Sequence, residues 1–209
     1  MKILYCGLLR TGSKSICRFI QEVSGYKKCV GANVDIHRHP TDVIVNNGEI
    51  ILNVDETRNL YHGIYTGNNK IYSIIDSYEN MIAMGIPYIG YYKFISATYP
   101  DAKFIICIRD TESFVTSYKK YNRWLSPIAK SKLNRIVLNI DGPYDNKYDE
   151  HLKNVYESHN KKIIKYFEDY PGKLLVLKFE DIGTEKFEQD ILDFLDMKNT
   201  DNIKMKCVK

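Results

Sequence analysis

The chain has 209 residues, 44% of them hydrophobic and 27% charged, a globular composition that excludes a disordered tail and a membrane-embedded protein. Its net charge of +4 is a mild excess that suits a polyanionic ligand without demanding nucleic acid. No apolar run approaches the ~20 residues needed to span a bilayer, and at ~100–200 residues per domain the length predicts one domain, 1–209.

Lys2–Leu9 is a short apolar run without a small-residue cleavage site, so it reads as a strand rather than a signal peptide. It ends in Arg10, Thr11, Gly12 and Ser13. Ile16, Phe19, Ile20 and Val23 then follow helical spacing, and Gly25 ends that helix. Val43–Val45 and Ile50–Val54 flank Asn46-Asn47-Gly48, a hairpin signal. Residues 71–84 and 88–98 read as helices separated by Pro87. Lys103–Arg109 is a continuous apolar run, expected of a strand buried on both faces. Asp110 is placed to cap a helix through Tyr121, and 124–138 and 148–169 read as two more. Lys173–Phe179 is a third buried strand, and Thr184 caps a last helix carrying Phe187, Ile191, Leu192 and Leu195.

Strands alternating with helices predict an α/β fold: a central parallel sheet flanked by helices in three layers. Ligands in such sheets bind beyond the carboxyl ends of the strands. Those ends carry Arg10-Thr11-Gly12-Ser13, Arg109-Asp110 and Phe179-Glu180-Asp181. Residues 26–85 read as an insert that contains the hairpin.

The segment Gly7–Ser15 (GLLRTGSKS) invites comparison with a Walker A loop, but Ser13 stands between Gly12 and Lys14, so the P-loop pattern fails as written. The physics survives. A glycine turn opening a helix presents backbone N–H groups and the positive end of the helix dipole. Arg10, Lys14 and the hydroxyls of Thr11, Ser13 and Ser15 add donors, and a phosphate or sulfate is the natural guest. At the second strand end, Ser113 and Ser117 share a helical face toward the side where Arg109 emerges, which suits a phosphate monoester.

Together these motifs resemble the sulfotransferase family. GLLRTGSKS is similar to its phosphosulfate-binding loop in the R-T-G-T variant. IRDTESFVTSY is similar to its second signature, an Arg followed eight residues later by a Ser. The resemblance covers about residues 2–25 and 86–196, with YPDAKFIICIRD and LLVLKFEDI similar to the family's central and late strands. It implies a P-loop-like sulfotransferase architecture. It also implies transfer of the sulfuryl group of 3′-phosphoadenosine 5′-phosphosulfate (PAPS) to a hydroxyl or amine, leaving adenosine 3′,5′-bisphosphate. Arg10 would bind the phosphosulfate and neutralise charge on the leaving phosphate. Thr11, Gly12, Ser13, Lys14 and Ser15 would wrap the 5′-phosphate, Arg109 and Ser117 would hold the 3′-phosphate, and Phe179 would contact adenine. No metal is required.

Ser13 and Lys14 depart from the family's usual residues. Gly85 stands where relatives often carry an acid before the proline, and the C-terminal Arg-Lys-Gly-Gly type element is missing. The base is therefore sought among His37, His39, His62, Asp76 and Glu79, with His37 and His39 favoured because a neutral imidazole accepts a proton near pH ~6.5. His-x-His has no third ligand at zinc spacing. The acceptor is a small molecule, glycan or protein, with no nucleic-acid partner.

Two alternatives stay open. One is a P-loop kinase of a nucleotide or small molecule, needing Mg²⁺ and an Asp at a strand end. The other is a catalytically inactive nucleotide-binding protein on the same fold. The five cysteines, Cys6, Cys17, Cys29, Cys107 and Cys207, form no CxxC pair and fit a reducing, cytoplasmic setting.

Overall fold

β1, Lys2–Tyr5, is the organising strand. The computed structural model describes residues 1–30, 42–46, 49–53, 79–85, 89, 92–125, 127–138, 140 and 143–206. These fall into two compact units: Met1–Gly31, Tyr78–Asp110 and Lys162–Lys209 form the first, and Ala32–Ser77 with Thr111–Lys161 the second.

In the first unit β1 leads into α1, Ser13–Ser24, whose buried Ile16, Cys17, Phe19 and Ile20 form the apolar stripe read from the sequence. Gly25 closes α1 at φ +68°, its N–H donating to Gln21 O, as an αL cap requires. β2 is Lys27–Val30, β5 is Met81–Met84, β6 is Lys103–Ile108 and β7 is Leu174–Lys178. They form one parallel five-stranded sheet in the order β2-β5-β1-β6-β7. A parallel sheet with helices between its strands is the α/β fold expected, and β1 sits between β5 and β6.

Met81–Met84 corrects a helical expectation. Four consecutive apolar residues have no amphipathic face for a helix to show, and all four are buried between β1 and β2. The same unit holds α2, Tyr92–Thr98, and the final helix α6, Glu185–Leu195. The Thr184 Oγ1 accepts from Phe187 N at 3.2 Å, the cap the sequence predicts. The core joins Ile3, Tyr5, Ile16, Ile20, Ile82, Ile105, Cys107, Leu177, Phe187 and Ile191.

The second unit contains the hairpin β3, Asp42–Asn46, with β4, Glu49–Asn53, paired antiparallel with Asn46 opposite Glu49. Its helices are α3, Thr111–Trp124, and α4, Pro127–Leu138, which lies alongside β3. The sequence reading began α4 at 124. The break falls later because Pro127, whose ring fixes φ and removes an N–H, suits the first helical position. α5, Asp149–Phe167, begins in this unit and ends in the first. Inside the second unit Phe114 stacks on Tyr156 at 3.9 Å between centroids, and Asn122 Nδ2 donates to Asn134 Oδ1 at 2.6 Å.

Candidate functional site: an anion loop at the strand ends

The loop after β1 is set by backbone conformation. Gly12 holds φ +89°, and a Cβ there would stand 2.5 Å from Ile182 Cδ1 and 3.5 Å from Phe179 Cδ2. Arg10 holds φ +71° without glycine's freedom, at a cost of roughly 1–2 kcal/mol. The first bond of α1 runs from Ile16 N to Gly12 O at 3.1 Å, and no side chain caps the helix. First-turn N–H groups have no acceptor within a helix and carry the positive end of its dipole. Half-buried Ser13, exposed Lys14 and buried Ser15 occupy that turn.

Thr11 is held differently from its neighbours. It is fully buried, and its Oγ1 donates to Leu8 O at 2.5 Å. Tyr5 Oη donates to Thr11 O at 2.5 Å and lies 2.7 Å from Thr11 Oγ1. The Thr11 hydroxyl is thus engaged within the loop.

Two more strand ends meet this loop. Arg109 follows β6, and its Nη1 donates to Arg10 O at 3.2 Å. Its guanidinium carbon lies 4.1 Å from the centroid of the Phe179 ring, a cation–π stack. Phe179 follows β7 directly, opening the short 3₁₀ turn Phe179–Asp181. Asp110 N donates to Glu180 Oε1 at 3.1 Å, tying the same two strand ends through the Glu180 carboxylate. Arg10, Gly12, Arg109 and Phe179 therefore stand together at the carboxyl ends of β1, β6 and β7.

Burial, then the charges of Glu180 and Asp181, push the Cys107 thiol up to about 12 against the opposing charge of Arg109. Burial pushes the Cys6 thiol up as well. Both stay protonated near neutral pH, so neither supplies a thiolate nucleophile.

The other predicted residues fall elsewhere. Ser117 is buried on α3, in the second unit. His37, His39, His62 and Asp76 lie outside the described residues. Glu79 is exposed just ahead of β5, at the amino end of the parallel strands and not at the end where the loop lies. Gly85, at the carboxyl end of β5, holds φ +85° and offers no carboxylate. Lys204 of the C-terminal segment pairs with Glu185 at 3.4 Å and Glu188 at 3.6 Å, while Met205 N donates to buried Glu188 at 2.7 Å. That lysine is committed to α6. Among the described residues no group of three or more His, Cys, Asp or Glu is placed to hold a metal ion. Tyr5 escaped the sequence reading, and Glu180 entered it only as part of the third strand end. A tyrosine ending an apolar strand two residues before Gly7 is the one signal that pointed to Tyr5.

A model of the sulfotransferase domain matches residues 2–204. The chain belongs to the sulfotransferase family. Among solved structures, the sulfotransferase from Alicyclobacillus acidocaldarius aligns with a TM-score of 0.54 and 13% identity, over 99% of this chain and 84% of that one. The sulfotransferase domain from the curacin biosynthetic pathway aligns with a TM-score of 0.55 and 11% identity, over 95% and 74%. At such identities the likeness is one of fold, and it is the parallel α/β fold described above. A search of curated proteins returns no match. No helix among the described residues of this sulfotransferase is long and apolar enough to cross a membrane.

Proposed function

We propose that this sulfotransferase-family chain takes its sulfuryl group from PAPS and passes it to a hydroxyl or amine of a small-molecule, glycan or protein acceptor. The observation that carries this reading is the Arg109 guanidinium, bonded to Arg10 O and stacked on Phe179 beside the uncapped first turn of α1. Two basic side chains, the amides of a helix start that no side chain caps and an aromatic ring at one set of strand ends fit a phosphorylated adenosine: cations and amides for phosphates, a ring face for a base.

The donor supplies an activated sulfuryl group, and the rest belongs to the protein. The N–H groups of Thr11, Ser13, Lys14 and Ser15 and the hydroxyls of Ser13 and Ser15 hold the 5′-phosphate. Arg10 stabilises the negative charge that grows on the departing phosphate oxygen; a preorganised cation there acts most strongly where water is excluded. Arg109 holds the 3′-phosphate, and Phe179 contacts adenine. Ser117 is assigned to the 3′-phosphate on its motif alone. His37 or His39 takes the proton lost by the acceptor, and residues 26–85 select that acceptor. Positioning and electrostatics do most of the work, as in phosphoryl transfer, and no metal is needed.

The test is release of adenosine 3′,5′-bisphosphate from PAPS over an acceptor panel, beside thermal-shift measurements with that nucleotide and with ATP–Mg²⁺. The expected outcome is acceptor-dependent release, reduced on the order of a hundredfold or more by Arg10→Ala, and stabilisation by the bisphosphate. Stabilisation by ATP–Mg²⁺ alone contradicts the reading and favours a kinase.

A further inference from the structure

We propose that Tyr5 is a positioning residue for the anion loop, acting through Thr11; this rests on the reading that the loop holds a 5′-phosphate. Tyr5 is the last residue of β1 and is 1% exposed. Its hydroxyl reaches six residues along the chain to the far side of the loop, 2.5 Å from Thr11 O and 2.7 Å from Thr11 Oγ1.

Proton counting fixes the direction of this clasp. The Thr11 hydroxyl proton goes to Leu8 O at 2.5 Å, so the proton between Tyr5 and Thr11 comes from Tyr5. Tyr5 has one hydroxyl proton; it goes to Thr11 O at 2.5 Å, and the 2.7 Å approach of Tyr5 Oη to Thr11 Oγ1 is a side contact of the same clasp. Gly7 lets the ring pass. A Cβ on Gly7 would lie 2.8 Å from Tyr5 Oη and 2.9 Å from both Thr11 Oγ1 and Tyr5 Cε1. The loop is therefore closed on itself from inside, Leu8 to Thr11 and Thr11 to β1, in a site without water access.

The consequence falls on the two residues beside Thr11. Arg10 must hold φ +71° and Gly12 φ +89° for α1 to open toward the ligand. Strained conformations persist where the surroundings over-determine them. Arg109 bonds to Arg10 O, and Tyr5 bonds to the next carbonyl, Thr11 O. Losing the Tyr5 hydroxyl takes its donor from Thr11 O and releases the loop toward relaxed geometries that point its amides elsewhere.

The experiment separates positioning from support of the fold. Adenosine 3′,5′-bisphosphate and adenosine 3′-monophosphate are titrated calorimetrically into the full chain, and the ratio of their affinities gives the increment due to the 5′-phosphate. Tyr5→Phe, which keeps the ring, is expected to shrink that increment about tenfold, one strong hydrogen bond's worth of alignment, while adenosine 3′-monophosphate binds within about twofold of wild type. Thr11→Val is expected to do the same, Thr11→Ser to restore the increment, and Tyr5→Phe with Thr11→Val to be no worse than either alone. An unchanged increment in Tyr5→Phe and Thr11→Val, whatever their melting temperatures, overturns the role of Tyr5 and leaves the loop reading standing. A wild-type chain that binds both nucleotides equally overturns the loop reading, and this proposal with it.

Discussion

Arg10 occupies the left-handed region that side chains avoid, two residues before a glycine that occupies it freely. Selection for stability alone would put glycine at both positions. Arg10→Gly is accordingly predicted to raise unfolding stability by about 1 kcal/mol while abolishing nucleotide binding. Chemical denaturation and calorimetry on one sample check the opposite signs. Gly12→Ala should cost on the order of 2 kcal/mol, from positive φ and from the approach to Ile182, and a paired Ile182→Ala should not restore it, because the φ strain stays. At this scale the sequence was informative where the signal is local. Gly7, Arg10 and Gly12 sit within six residues and announce a turn with basic donors. The stack of Arg109 on Phe179 depends on which strands are neighbours, which local spacing does not record.

Strand β5 shows the same division among elements. Met and Ala are good helix formers, so Met81–Met84 invites a helical reading from propensity. Pairing with β1 on one side and β2 on the other decides otherwise, since parallel strands buried on both faces read as plain apolar runs. β2, Lys27-Lys28-Cys29-Val30, carries no such run and no local signal; the sheet among the described residues has five parallel strands where three are legible in the sequence. The hairpin, by contrast, was readable because Asn-Gly between β-branched runs specifies its own register. Two substitutions check the element-level account by denaturant titration. Thr184→Ala removes the acceptor for Phe187 N and should cost about 1 kcal/mol. Ile105→Ala, in the fully buried middle of β6, should cost about 2–5 kcal/mol.

On the scale of the whole molecule, acid stability reports on the second unit. In the second unit burial raises the Asp149 carboxyl, but hydrogen bonds from Lys119 at 2.8 Å and Tyr144 at 2.5 Å, with the Lys119 and Lys153 charges, outweigh it and hold the group below its ordinary 3.8. A carboxyl lowered in the folded state gives stability that is present above its unfolded value and is lost as pH falls through its folded value. Asp149→Asn should therefore be less stable than wild type near neutrality, and the two denaturation midpoints should converge as pH drops below 3.8. A gap that persists in acid contradicts this assignment. The first unit bears the central claim, that the strand ends of β1, β6 and β7 form one cradle for a doubly phosphorylated adenosine. Calorimetric titration of adenosine 3′,5′-bisphosphate into wild type, Arg10→Ala and Arg109→Ala tests it most directly. The account predicts saturable one-to-one binding that weakens by at least about tenfold in each variant, the worth of one charge-assisted contact; binding that is absent in wild type, or equal in all three, contradicts it.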